Sequence, residues 1–326
     1  MIHVVLAGTY PVNTYEKLCA LLPESKFKLT EVNTIEEYDR MTDAEIMILR
    51  IFKAPKEVIE RNPKLKMILR WGAGFDSVDI EAAGKRGIFV TNTPGANAAA
   101  VSELAVMLML AVGRKLLCHT ECLAEGNWSK NTFLNTSYCL NHKKLGIIGA
   151  GNIGRQVAVK AQAFGASVQY YDPFRLSSEM EEKFSLQYVS LETLLSSSDV
   201  VSLHVPLTDA TYHMIGKEEL KKMKSGAIII NTARGGLIDD HALAEAVASG
   251  HLAGAGLDGV EEEPLPMNHE LLVNPNIIVT PHIGGGTADI GDEIIPMLVE
   301  DIMSFADGQT PKFVVNGQYY VSLGGS

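Results

Sequence analysis

The 326 residues are enough for about two domains, and 46% hydrophobic with 21% charged residues is the composition of an ordinary globular protein with a large core. A formal net charge of −11 argues against nucleic acid and anionic membrane surfaces as partners, because both would repel it. The four cysteines are too few for a disulfide framework, and the N-terminal MIHVVLAG lacks the pattern of a signal peptide. The longest apolar run, residues 104–112, is far too short to cross a bilayer. We therefore expect reduced thiols, a cytoplasmic location and no membrane contact.

The first third of the chain alternates short apolar runs with helical patterns. Strands are predicted at residues 3–7, 45–50, 67–69 and 88–91, and helices at 14–22, 56–61 and 80–86. This alternation predicts βαβ units and a parallel sheet. One long buried helix is then predicted over residues 98–117, followed by a polar stretch, 125–141, that would be a surface arm or an oligomer contact.

The alternation restarts near residue 145. Strands are predicted at residues 145–148, 167–171, 200–204, 227–231, 253–257 and 277–280, with helices that include 152–164, 241–249 and a last one over 289–306. The chain therefore divides into two α/β halves, and the second half holds a complete dinucleotide-binding pattern.

That pattern is the glycine run Gly149, Gly151 and Gly154, which follows an apolar strand and opens a helix. Such glycines allow a tight turn, close approach of a pyrophosphate and close helix–strand packing. Asp172 ends the next strand, where a carboxylate can accept hydrogen bonds from the adenosine ribose hydroxyls and repels a 2′-phosphate. We expect NAD as the cofactor, and Arg175, just past Pro173, leaves tolerance of NADP open.

Three candidate catalytic residues each follow a predicted strand of the second half, where open α/β sheets bind ligands. Arg234 can hold a carboxylate in a bidentate contact, His282 can move a proton, and Glu263 can orient that histidine. Singly, each is more easily read as a surface arginine, a solvated acid or an ordinary loop histidine. As an ordered set at strand ends, they predict hydride transfer between a nicotinamide and a 2-hydroxy acid.

The sequence resembles the D-isomer-specific 2-hydroxyacid dehydrogenases, which include phosphoglycerate, glycerate, D-lactate and hydroxypyruvate dehydrogenases. The resemblance extends from about Glu45 to Asn316. It is carried by the motifs LRWGAGFDSVD, TNTPGANAAAVSELA, LGIIGAGNIGRQVA, VSLHVPLT, IINTARGGLID, DGVEEEP and TPHIGG.

The resemblance implies two Rossmann-like domains with parallel sheets. The NAD-binding domain, residues 97–286, would be inserted into a smaller flavodoxin-like substrate domain formed by residues 1–96 and 287–326. It also implies a homodimer through the nucleotide domain, with residues 118–141 as the candidate arm. Because the sequence stops at Ser326, we expect none of the regulatory domain found in some phosphoglycerate dehydrogenases.

The resemblance further implies a role for individual residues. Arg234 would bind the substrate carboxylate, His282 would donate the proton in reduction, and Glu263 would hydrogen-bond His282 and favour its protonated form. Substrate contacts would also come from Arg50, Ala73 and Gly74. The cofactor would be held by Val101, Gly149, Gly151, Asn152, Ile153, Gly154, Asp172, His204, Val205, Pro206, Thr211, Thr232, Ala233, Asp258, His282, Gly284 and Gly285.

Two positions depart from the family pattern. The family usually has D-V-F where this chain has Asp258-Gly259-Val260, and it often has a smaller residue at Trp71. Trp71 would either shape the substrate pocket or pack inside the first domain. The proximity of Cys118, His119 and Cys122 is better explained by buried or interface thiols than by a metal site, so no metal is expected.

Two alternatives share this fold. A dinucleotide-sensing corepressor would retain the same triad and would bind NADH without turning over a 2-keto acid. Formate or phosphonate dehydrogenases place different residues around the histidine.

Overall fold

The computed structural model describes residues 1–128 and 130–320, which form two compact units. One unit contains Met1–Asn97 together with the segment that begins at Thr287, and the other contains Ala98–Gly286. The sequence interpretation placed these boundaries after residues 96 and 286.

The first unit is built on a parallel sheet whose five strands have the order β2-β1-β3-β4-β5. This is the flavodoxin-like order. The strands are β1 (Ile2–Ala7), β2 (Phe27–Val32), β3 (Ile46–Leu49), β4 (Met67–Arg70) and β5 (Phe89–Thr91), and the helices between them are α1 (Thr14–Leu21), α2 (Ile35–Arg40), α3 (Lys56–Arg61) and α4 (Ile80–Lys85). All four residues of β3 are buried, as expected for a central strand covered by helices on both faces.

The second unit has a seven-stranded parallel sheet with the order β12-β11-β10-β9-β6-β7-β8. The order reverses between β6 and β9, as in dinucleotide-binding sheets, and ligands bind beyond the carboxyl ends of the strands at such a point. Its strands are β6 (Lys144–Ile148), β7 (Ser167–Tyr171), β8 (Gln187–Tyr188), β9 (Val200–Leu203), β10 (Ile228–Asn231), β11 (Gly254–Leu257) and β12 (Ile277–Val279).

Helices cover this sheet on two sides, so its core has two halves. On β10, Ile229 packs in one buried cluster while Ile228 and Ile230 pack in the other, because successive strand residues point to opposite faces. The helices are α5 (Ala98–Gly113), α6 (Leu116–Ala124), α7 (Asn152–Ala163), α8 (Ser178–Phe184), α9 (Leu191–Ser197), α10 (Lys217–Lys222), α11 (Asp240–Ala248) and α12 (Glu270–Val273).

The C-terminal segment belongs to the first unit. Helix α13 (Gly291–Ala306) packs against α1, and a short 3-10 helix, η1 (Gly317–Tyr319), follows it. Asn316 is fully buried and hydrogen-bonds the edge strand β5: its Oδ1 accepts from Val90 N at 3.0 Å, and its Nδ2 donates to Ile88 O at 2.9 Å. These contacts place the last described residues on the sheet that begins with Ile2.

The parallel sheets confirm the predicted α/β class with two Rossmann-type folds, and each predicted strand is present within one residue at either end. The prediction of one helix over residues 98–117 is wrong, because α5 ends at Gly113 and α6 begins at Leu116. Lys115 between them has the left-handed φ of 52°, and its buried Nζ donates to Asn276 Oδ1 at 2.8 Å. Strands β2 and β8 and helix α2 were not predicted. Within the described residues, no helix is both long enough and apolar enough to cross a bilayer.

Candidate active site

The glycine run forms the turn between β6 and α7. Gly149 has a φ of +96°, and a Cβ there would lie 2.7 Å from the carbonyl oxygen of His204. A Cβ on Gly154 would collide with the carbonyl oxygen of Gly149, so the helix can approach the strand this closely only with glycine. At Gly151, in contrast, a Cβ would meet nothing within 4 Å. Gly151 also caps α7 and has no side chain to satisfy the first N–H groups of the helix, so the turn has an open, electropositive side.

Asp172 fixes this turn from the neighbouring strand. Its Oδ2 accepts from the N–H of Ala150 at 2.9 Å, and its Oδ1 accepts from the N–H of Phe174 at 2.9 Å. The carboxylate is partly exposed, at the carboxyl end of β7. The two residues that the sequence separated by a whole helix are therefore in direct contact beside the open side of the turn.

His282 and Glu263 also meet in the structure. The imidazole Nδ1 lies 3.1 Å from Glu263 Oε2 and 3.2 Å from Oε1. With Nδ1 engaged by the carboxylate, Nε2 is the nitrogen that can face a substrate. The two side chains are 47% and 43% exposed within this chain, so both are accessible to a ligand. His282 has a φ of 53°, a region that non-glycine residues adopt mainly where the surroundings hold them, often at functional sites.

Asp258 holds the loop that carries His282. Its carboxylate is 3% exposed and accepts three hydrogen bonds from the next strand end: from Thr280 Oγ1 at 2.6 Å, from Ile283 N at 2.8 Å and from Gly284 N at 2.7 Å. This loop-fixing role of Asp258 was not predicted, because no feature of the sequence indicates which groups an acid after a strand will contact.

Arg234 projects from the turn after β10, and this turn packs against the acidic loop after β11. Asn231 shapes it, with Oδ1 accepting from Ala233 N at 3.1 Å and Nδ2 donating to Arg234 O at 2.7 Å. A Cβ on Gly259 would lie 2.8 Å from the N of Gly235. The glycine at this departure from the family pattern therefore has a packing reason, since a larger residue would push the two turns apart.

Strands β10, β11 and β12 are neighbours in the sheet, so Arg234, Glu263 and His282 all come from one corner of its carboxyl edge. Comparison with known proteins identifies the family. The model of the D-isomer specific 2-hydroxyacid dehydrogenase NAD binding domain matches residues 106–284. The chain belongs to the D-isomer specific 2-hydroxyacid dehydrogenase family.

Two relatives and one solved structure are similar to this dehydrogenase over most of its length. It is 44% identical over 269 residues to a glyoxylate reductase of Thermococcus litoralis, covering 81% of each chain. It is 44% identical over 263 residues to a hydroxypyruvate reductase of Thermotoga maritima, covering 80% of this chain and 84% of the relative. A glyoxylate reductase structure from Paecilomyes thermophila superposes with a TM-score of 0.84 at 33% identity, covering 97% and 99% of the two chains. The protein is an NAD-dependent oxidoreductase of the D-2-hydroxyacid class, which confirms the predicted family, enzyme class and cofactor.

The residues present fit a dinucleotide. Besides the open side of the turn at Gly151, two buried polar atoms near the carboxyl edge, His204 Nδ1 and Thr232 Oγ1, have no hydrogen-bond partner within the described part of the chain. Burial lowers the pKa of His204 to about 3, so its ring is neutral at physiological pH, and its Nε2 lies 2.9 Å from Ser202 Oγ. Unsatisfied buried groups of this kind are costly unless a ligand or water completes them.

The other predicted cofactor residues lie around this edge in different roles. Val101 is buried, and its side chain lies 3.4 Å from where a Cβ on Gly284 would be. Thr211 is engaged within its own loop, since its Oγ1 donates to Pro206 O at 2.8 Å and accepts from Thr208 N at 2.8 Å. Val205 is also buried, directly after His204.

The predicted substrate residues of the first unit lie at the carboxyl edge of its own sheet. Asn92 Nδ2 donates to Ala73 O at 2.6 Å, and Arg70 Nε donates to Gly74 O at 3.1 Å, which holds the loop by its carbonyl oxygens. The N–H groups of Ala73 and Gly74 make no hydrogen bond to any residue that the structure describes. Arg50 follows β3, and its guanidinium donates to Thr9 O.

Trp71 is 7% exposed and packs inside the first unit. Its ring centroid lies 5.1 Å from that of Tyr10 in an edge-on contact, and its benzene edge lies against Gly291 at the start of α13. Packing is therefore the role that the structure shows for this second departure from the family pattern.

No group of three His, Cys, Asp or Glu side chains within residues 1–128 and 130–320 is arranged to hold a metal ion. Cys118 is buried near the start of α6, and its thiol donates to Pro275 O at 3.3 Å. Burial raises the pKa of this thiol, which makes it a poor nucleophile.

Proposed function

We propose that this protein reduces a small 2-keto acid to the D-2-hydroxy acid with NADH, using Arg234 to hold the substrate carboxylate and His282, paired with Glu263, to donate the proton. The observation that carries the proposal is the contact of His282 Nδ1 with Glu263 at a strand end next to the Arg234 turn. The bound nicotinamide supplies the hydride.

Each catalytic side chain has a distinct task. The guanidinium of Arg234 binds the carboxylate and polarises the neighbouring carbonyl by a fork-shaped pair of N–H groups. The Glu263 carboxylate stabilises the imidazolium and fixes its orientation, so that Nε2 delivers a proton to the oxygen that becomes the hydroxyl. In the oxidation direction the same nitrogen accepts that proton.

The cofactor would be held by the glycine turn and the residues beside it. The N–H groups of Asn152 and Ile153 at the start of α7 would bind the pyrophosphate, and Asp172 would accept from the ribose hydroxyls. His204, Thr232 and the loop after β12, with Gly284 and Gly285, would line the rest of the site. Asp258 would act chiefly by fixing that loop.

For the substrate, we propose a short acid such as glyoxylate or hydroxypyruvate, supported by the names of the relatives at 44% identity. Arg50 and the N–H groups of Ala73 and Gly74 would supply the contacts from the substrate domain, formed by Met1–Asn97 and the segment after Gly286.

A panel of 2-keto acids with NADH and with NADPH, followed by nicotinamide absorbance, tests this function. We expect NADH-dependent turnover of glyoxylate, hydroxypyruvate or both. NADH binding without turnover of any acid would instead favour the corepressor-like alternative, which none of the relatives described above supports by name. Turnover of formate with NAD, and of no 2-keto acid, would favour the formate dehydrogenase alternative.

We also propose a homodimer formed through the NAD-binding domain. Apolar side chains are exposed on α5 and directly after α7, among them Met107 at 51% and Phe164 at 49%, and these two side chains line the same surface pocket. Trp128, in the segment after α6, is 84% exposed. Exposed apolar side chains that lie together are typical of a protein contact. A mass in solution equal to one chain would contradict the dimer.

We also propose a cytoplasmic location. The four cysteines are free thiols, which fits a reducing compartment.

A further inference from the structure

Arg175 is a cation close to the adenosine end of the proposed cofactor site. It follows Asp172 after Pro173 and Phe174, at the position in the fold where a cation can accommodate the 2′-phosphate of NADP. Its side chain is 61% exposed, so burial does not keep it from a ligand. Its contacts within the protein therefore decide whether it can bind a phosphate.

Glu181, on α8, binds Arg175 in a two-pronged contact. Arg175 Nε donates to Oε1 at 2.8 Å, and Nη2 donates to Oε2 at 3.0 Å. The guanidinium also lies 4.9 Å from the ring centroid of Tyr188. Parallel N–H···O bonds of this kind are among the strongest and most directional contacts an arginine makes.

Glu181 is itself held in place by a buried tyrosine, Tyr170. The hydroxyl of the fully buried Tyr170 donates to Glu181 Oε1 at 2.7 Å and accepts from Leu176 N at 3.0 Å. The hydrogen bonds from Arg175 and Tyr170 lower the pKa of Glu181 to about 2, so the carboxylate stays ionised at physiological pH. Because Glu181 is only 15% exposed and anchored to the core, it cannot follow Arg175 toward a ligand.

We propose that Glu181 is a cofactor-specificity residue, which holds Arg175 away from a 2′-phosphate and so makes the protein select NAD over NADP together with Asp172. A bound 2′-phosphate would have to replace the Glu181 contact while facing the Asp172 carboxylate. The inference rests on the proposed placement of the ribose at Asp172.

The experiment measures binding of 2′,5′-ADP and of 5′-AMP by calorimetry, which needs no turnover. In Glu181→Gln the amide oxygen still accepts from Tyr170, while the ion pair is lost, so the fold is preserved. We expect 2′,5′-ADP to bind about tenfold more tightly than to the parent, with 5′-AMP unchanged. Glu181→Met, which removes both side-chain oxygens that accept from Arg175, should increase the gain.

Two further variants identify the cause. Glu182→Gln removes the same charge at the exposed neighbouring position and should leave both affinities at the parental values. Adding Arg175→Ala to Glu181→Gln should abolish the gain. The proposal is overturned if neither Glu181 variant tightens 2′,5′-ADP binding, or if the gain survives the loss of Arg175.

Two further results distinguish the role of Glu181 from the placement of the ribose at Asp172 and from the proposed reaction. If Asp172→Ala leaves 5′-AMP binding unchanged, the ribose is not at Asp172 and the inference falls with that placement. If no 2-keto acid is turned over but the Glu181 variants behave as expected, the reaction is wrong and the specificity residue stands.

Discussion

The carboxyl edge of the seven-stranded sheet has two regions with different proposed roles: the cofactor end, at β6 and β7, and the catalytic end, at β10 to β12. The two regions are stabilised in different ways. At the cofactor end, one contiguous glycine turn provides the surface, and a single carboxylate, Asp172, fixes it through the Ala150 N–H. At the catalytic end, the buried carboxylate of Asp258 and the contact between Glu263 and His282 join the ends of β11 and β12, which are far apart in sequence. The N–H of Asp258 also donates to the carbonyl oxygen of Asn231 at the end of β10.

The difference shows how binding and chemistry place unlike demands on a fold. A pyrophosphate needs backbone N–H groups and room, which one turn supplies without side chains. Proton transfer needs side chains held at fixed distances. The buried Asp258 carboxylate, which accepts three hydrogen bonds, therefore fixes the one loop that carries His282. Substitutions at the two ends should therefore affect different kinetic constants.

Substitution of Arg234 should give the largest difference between the effect on catalysis and the effect on NADH binding. In Arg234→Ala, kcat/KM for the 2-keto acid should fall about 10³-fold or more, because the substrate carboxylate loses its fork-shaped partner. The dissociation constant of NADH, measured by nicotinamide fluorescence, should stay within about twofold of the parent value. Arg234→Lys keeps the charge without the fork and should lie between the two. A change confined to NADH affinity would refute the assignment.

Glu263→Gln should lower kcat about 10- to 100-fold, since the imidazolium loses the carboxylate that stabilises and orients it. Steady-state turnover of the preferred 2-keto acid at saturating NADH checks this. Glu262→Gln changes the adjacent, exposed acid and should have the parental kcat. Equal losses in both variants would show that general loop charge, not the Glu263 contact, is responsible.

Asp258→Asn tests the buried tie. The amide cannot accept all three hydrogen bonds, so the free energy of unfolding should fall by about 2–3 kcal/mol and kcat should fall with it. Urea denaturation and turnover are the measurements, and Asp209→Asn, at an exposed position, is the control. Parental stability would mean that the loop does not depend on Asp258.

Asp172→Ala should have the smallest and most confined effect. The NADH dissociation constant should rise about tenfold, because the turn loses its acceptor and the ribose its partner. At saturating NADH, kcat should stay within about twofold of the parent. A large loss of kcat at saturation would show that the two ends are not separable.

The same contrast explains how far the sequence predicts the structure. The cofactor end is readable because its determinants, Gly149 to Gly154 and then Asp172, occur in one strand-turn-helix-strand pattern. At the catalytic end, the positions of Arg234 and His282 after strands were predicted from the sequence, and the contact between Glu263 and His282 was implied by the family resemblance. The contacts of Asp258 with the next strand end were not predicted, because they depend on which strands become neighbours.

The three consecutive glutamates 261–263 have structural contacts that periodicity and composition do not distinguish. Glu261 accepts from Asp240 N at 3.1 Å and lies 2.7 Å from His213 Nε2, so it anchors the loop, whereas Glu263 faces His282. Identical side chains in a row have different roles only because the backbone turns between them. The break at Lys115 escaped prediction for a similar reason, since its stabilising partner Asn276 is distant in sequence.

His282 is the proposed proton donor. Its φ of 53° disfavours alanine, so His282→Asn is the better test, because asparagine adopts the left-handed region most readily among non-glycine residues. The decisive measurement is turnover of the preferred 2-keto acid by His282→Asn, together with its NADH dissociation constant. We expect a loss of kcat of about 10³-fold or more with NADH affinity within about twofold of the parent. Turnover at the parental rate would show that His282 is not the proton donor.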